Sequence, residues 1–107
     1  MDLKILADKL GLDLEDIKEL LELYIETTTA DLIELKGAID AKDASLAHAK
    51  AHSIKGGSGN LGLDKMYELA KEIDDLARVN ALDGLDNIAQ VMQETFNSLV
   101  EEFEQSN

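Results

Sequence analysis

The 107-residue chain has no cysteine, no proline and no tryptophan, and aromatic residues make up only 4% of it. Without cysteine there is no disulfide framework, no thiolate metal site and no cysteine nucleophile. Without proline, nothing of that kind interrupts a helix. Basic residues are scarce: ten Lys and Arg stand against 23 Asp and Glu, a net charge of −13. Such a chain is poorly suited to phosphate backbones or anionic membranes, both of which are held by Lys and Arg. No stretch approaches the ~18 apolar residues of a membrane span. Met1-Asp2-Leu3-Lys4 lacks the basic-then-apolar layout of a signal peptide, so the expected location is cytoplasmic.

What is present is helical. Hydrophobic residues are 45% of the chain, dominated by Leu and Ala, enough for one core in a chain of this length. Leu3, Leu6 and Leu10 form a short apolar ladder stopped by Gly11. Leu14, Ile17, Leu21, Tyr24, Thr28, Leu32 and Leu35 follow at spacings of three and four, with Asp13 ahead of them. This second helix is expected to end near Asp40. Asp43 suits the N-cap of a third helix, with a ladder of Ala47, Ala51, Ile54, Ser58 and Leu61. A fourth ladder reads Met66, Leu69, Ile73, Leu76 and Asn80. The fifth reads Leu85, Ile88, Met92, Thr95 or Phe96, Leu99 and Phe103, behind Asp83-Gly84. The expected fold is all-α: an antiparallel four-helix bundle with a short extra N-terminal helix, forming one domain over 1–107.

The third helix carries residues the bundle does not need. Ala51 to Gly62 holds four glycines in twelve residues, and each one inside a helix costs ~1 kcal/mol relative to alanine. On a helical wheel, His48, His52, Lys55, Gly56 and Gly59 share one strip at the edge of the buried face. A neutral imidazole is a competent nucleophile at cellular pH. Lys55, one turn from His52, can place charge near the oxygens of a phosphoryl group, and Gly56 leaves room for a partner's active site. These parts fit phosphoryl transfer, where positioning and charge neutralisation carry most of the catalysis. Between Lys42 and Arg78, six basic residues balance six acidic ones, so the whole −13 lies outside the histidine-bearing segment.

The string Ala51-His52-Ser53-Ile54-Lys55-Gly56, closing in Leu61-Gly62, resembles the signature of histidine-containing phosphotransfer domains of two-component phosphorelays. The wording of the motif is most similar to the phosphotransfer domain of chemotaxis histidine kinases. The resemblance implies that His52 is the phosphoacceptor through Nε2, Lys55 its charge stabiliser and Gly56 its clearance residue. It also implies Asp74, on the following helix, as the partner of Nδ1, with a long bond because Asp is shorter than the Glu or Gln usual there. Lys50, Gly59 and Arg78 are candidate docking residues. The implied partners are a histidine kinase and a response-regulator receiver domain. Mg²⁺ and the remaining catalytic groups come from the partner, so the chain itself needs no cofactor and acts as a carrier, not an enzyme.

The same residues admit competing readings. His48 and His52, at i and i+4, can chelate a metal, but no third ligand stands at metal spacing and no metal site is assigned. Asp74 and Arg78 can equally form a solvated ion pair worth little. An acyl-carrier-like protein would attach its prosthetic group within Asp-Ser-Leu, and Asp43-Ala44-Ser45-Leu46 is the nearest match. A purely structural acidic bundle is the third reading. The helix count fits a free-standing monomer, whereas the motif's likeness to chemotaxis kinases leaves a piece of a larger kinase open.

Overall fold

The computed structural model describes residues 1–106, and Asn107, at the end of the expected domain, lies outside the described residues. Five helices follow one another: α1 (Leu3–Leu10), α2 (Leu14–Asp40), α3 (Ala44–Asn60), α4 (Asp64–Arg78) and α5 (Leu85–Gln105). Contacts run α2 to α3, α3 to α4, α4 to α5 and back from α5 to α2, closing a four-helix bundle, with α1 laid on α2. At ~1.5 Å per residue the 27 residues of α2 set the 41 Å long axis of the molecule.

A single backbone device replaces proline as the helix stop. Gly11, Lys42, Gly62 and Asn80 each take positive φ, between 56° and 71°. In each case the next amide reaches back five residues, as in Leu12 to the Ala7 carbonyl at 2.9 Å and Leu63 to the Ser58 carbonyl at 2.9 Å. This closure satisfies carbonyls that a helix end leaves open. Glycine takes such a conformation freely, whereas Lys42 pays a steric cost of about 1–2 kcal/mol. At the opposite ends, Asp43 accepts from the Leu46 amide at 3.1 Å and so caps α3. Asp13 occupies the N-cap position of α2 without a side-chain bond.

The core is built from the expected ladders of α2, α3 and α5, except that Leu14, in the first turn of α2, is 44% exposed, Ile88 is half-buried, and Phe96 and not Thr95 is inward on α5. On α3 the buried set is Ala47, Ala51, Ile54 and Ser58. These small side chains let α3 and α4 approach closely, and that pair makes the most extensive contact in the bundle. Ser58 is fully buried yet paired, its Oγ 2.7 Å from the Tyr24 hydroxyl, and the Tyr24 ring meets Phe96 edge to face at 6.3 Å.

The face of α4 differs from the expected one. Its buried stripe is Met66, Ala70, Ile73, Asp74 and Ala77, whereas Leu69 and Leu76 are half-buried at its margin. Against a helix of small residues the tightest contact falls to alanines, and the leucines are displaced to the rim. Asn80 is exposed, and its positive φ ends the helix instead of extending the ladder.

Candidate functional site

The rotation of α4 brings Asp74 beneath the histidine strip of α3. Its side chain is 0% exposed, so the solvated ion-pair reading of Asp74 and Arg78 is incorrect for Asp74. A buried carboxylate must be paired, and four donors meet this one. His48 Nδ1 bonds Oδ1. Lys55 Nζ lies 3.0 Å from Oδ2, while His52 Nδ1 and Arg78 Nη2 each lie 3.4 Å from the same oxygen. Burial alone pushes the Asp74 carboxyl up, but the bonds from Lys55, His48 and His52 outweigh it and hold the pKa below its ordinary value.

An ionised carboxylate only accepts, so each imidazole facing it presents Nδ1–H. In the neutral ring that assignment leaves the lone pair on Nε2, pointing away from Asp74. For His52, whose side chain is 61% exposed, Nε2 is open to a partner. With both imidazoles neutral, Lys55 and Arg78 exceed Asp74 by one positive charge. That excess suits an incoming phosphoryl group.

The glycines separate into two kinds. A Cβ at Gly56 would meet nothing within 4 Å, so packing within this chain gives no reason for its absence. A Cβ at Gly57 would stand 3.4 Å from the Tyr24 ring, and one at Gly59 would stand 3.3 Å from the Tyr67 ring. A side chain at Gly57 or Gly59 would therefore crowd a tyrosine ring of this chain, whereas one at Gly56 would not.

The structure gathers His52, Lys55, Asp74 and Arg78 but not Lys50. That lysine points to α2, 2.5 Å from Glu34 and 3.9 Å from Asp31, which also accepts from Ser53 Oγ at 2.8 Å. Sequence reasoning missed two features. His48 shares the Asp74 carboxylate, and its i, i+4 spacing from His52 was the available signal. On the α2 side of His52, a cleft of about 380 Å³ is lined by Leu12, Leu20, Leu23, Tyr24, Ser53 and Gly57, among others. Leu20 and Leu23 are exposed there, and their place outside the core ladder was the only sign of it. Among the described residues no group of three or more His, Asp and Glu is placed to hold a metal ion. Among the same residues, no helix is long and apolar enough to cross a membrane.

A buried acid thus lies under an exposed histidine on a glycine-bearing helix, and comparison with known proteins places the fold that holds them. The Hpt domain family profile matches residues 19–106, and the chain belongs to that family. It is a histidine phosphotransfer module of phosphorelays, which work with histidine kinases and receiver domains. No curated protein matches it. Among solved structures it is similar to histidine-containing phosphotransfer protein B (HptB) from Pseudomonas aeruginosa PAO1. The two are 27% identical over 99% of this chain and 92% of that one, with a TM-score of 0.87.

Proposed function

We propose that His52 is the phosphoacceptor and that the chain is a carrier with no kinase activity of its own. The observation that supports this best is the pairing of Asp74 with Nδ1 of the most open imidazole in the cluster, which leaves Nε2 free. In the acceptance step, the Nε2 lone pair attacks the phosphorus of a receiver's phosphoaspartate. The N–P bond forms as the P–O bond to the carboxylate breaks, and the electron pair leaves on that carboxylate oxygen. Nδ1 keeps its proton, and Asp74 offsets the positive charge that develops on the ring. Lys55 turns from Asp74 toward the phosphoryl oxygens, while Arg78 remains to hold the acid. Transfer onward reverses these bonds with a second receiver's aspartate.

Gly56 gives the partner its approach, and the cleft bearing Leu20 and Leu23 gives it an apolar seat beside His52. Arg78 borders the opposite side. Mg²⁺ belongs to the partner's site. The working unit is one monomeric domain, cytoplasmic and without nucleic-acid or membrane binding, in keeping with its −13 charge. The test is transfer of labelled phosphate from a panel of phosphorylated receivers and kinases. Wild type should take up acid-labile, base-stable label and His52→Gln none; equal labelling of both overturns the assignment.

A further inference from the structure

Two imidazoles share the Asp74 carboxylate, and only one of them is built to react. His52 is 61% exposed and is followed by Lys55 at i+3 and Gly56 at i+4. His48 is 37% exposed, has Ala51 at i+3, and has its i+4 position filled by His52 itself. His48 is therefore less exposed and lacks the lysine and glycine that follow His52. Yet His48 also bonds the acid, on Oδ1, while His52 stands 3.4 Å from Oδ2. The two rings lie 5.9 Å apart, tilted by 48°.

We propose that His48 is a positioning residue for phosphoryl acceptance: by holding Oδ1 of Asp74 it keeps Oδ2 turned to Nδ1 of His52. The proposal rests on the reading of His52 as the acceptor. Four donors compete for one carboxylate. A carboxyl group turns easily about its last torsion. Lys55, His52 and Arg78 all approach Oδ2, and His48 is the one donor to Oδ1 among the described residues. Without His48 a fully buried oxygen loses its partner. The carboxylate then turns to spread both oxygens over the two permanent cations, and the long bond to His52 is the first to go. A ring nitrogen released from its acceptor no longer dictates the tautomer. A free imidazole side chain in water prefers its proton on Nε2, where it blocks attack on phosphorus.

The test uses the full-length protein, labelled with ¹⁵N, and reads the protonation of each His52 ring nitrogen by NMR in mildly alkaline buffer. Wild type should show His52 with its proton on Nδ1. His48→Gln, whose amide nitrogen falls where Nε2 was and cannot reach Oδ1, should shift His52 toward the Nε2–H form. It should also slow acceptance from a phosphorylated receiver domain by about tenfold. His48→Asn, whose amide nitrogen falls where Nδ1 was, should restore both readouts. Thermal melts of both variants establish that they fold. An unchanged His52 tautomer in His48→Gln overturns the proposal, as does failure of His48→Asn to restore it. Labelling of His52→Gln in the same assay instead sinks the acceptor reading, while the tautomer spectra still report what His48 holds.

Discussion

Gly56 offers a test in which stability and activity are expected to move in opposite directions. It lies inside α3 with negative φ, and a Cβ built there finds open space. Gly56→Ala therefore removes an entropic cost without a clash and should stabilise the fold by about 0.5–1 kcal/mol. At roughly 4 °C per kcal/mol for a chain of this length, Tm should rise by about 2–4 °C. Gly59→Ala has the same propensity gain but must push the Tyr67 ring from 3.3 Å, so its Tm should rise less or fall. Gly56→Leu keeps the helical gain and fills the space beside His52. Its melt should match or exceed wild type, while phosphoryl acceptance falls by about tenfold to a hundredfold, the cost of a displaced reacting group. Calorimetry and a receiver-to-carrier transfer assay measure the two sides. A Gly56→Ala protein less stable than wild type would show that the fold itself needs this glycine. A Gly56→Leu protein transferring at the wild-type rate would refute the clearance role.

Three further expectations concern the scaffold. Asp74 has a depressed pKa in the folded chain, so its contribution is present above the unfolded carboxyl value and is lost as pH falls through the folded one. Asp74→Asn should lower stability at neutral pH by about 1–3 kcal/mol and flatten the acid limb of a stability–pH curve; an unchanged limb counts against the paired, ionised acid. Lys42→Gly relieves a positive φ of 56° and should raise stability by about 1 kcal/mol in urea titrations, with Asn80→Gly gaining less because Asn tolerates that conformation. Tyr24→Phe strands the buried Ser58 hydroxyl and should cost about 1–3 kcal/mol, part of which a second change, Ser58→Ala, should return. If the two changes are simply additive in denaturation, the hydroxyls are not coupled.

The ladders of α2, α3 and α5 were legible because large side chains or a tight run of small ones repeat at helical spacing. The α2 boundaries at Leu14 and Asp40 follow directly from that pattern. The face of α4 was harder to read, since hydrophobic periodicity weights Leu69 and Leu76 above Ala70 and Ala77. Which set goes inward depends on how small the opposing residues of α3 are. That same rotation decides whether Asp74 is a surface acid or a buried one, so the acid's pairing could be inferred from family likeness but its burial could not. His52, Lys55 and Gly56 stood out because their chemistry makes little sense as packing. His48 carried the same positional signal, but its meaning depends on an acid from another helix.

The central claim is that the phosphoryl group resides on Nε2 of His52. Two-dimensional ³¹P–¹⁵N NMR of the phosphorylated, ¹⁵N-labelled protein, with peptide mapping by mass spectrometry under alkaline conditions, tests it most directly. The expected result is a phosphorus–nitrogen coupling to Nε2 of His52, with Nδ1 still protonated against Asp74. A phosphoryl group found on His48, on Nδ1 of His52, or on an acidic side chain would contradict the account.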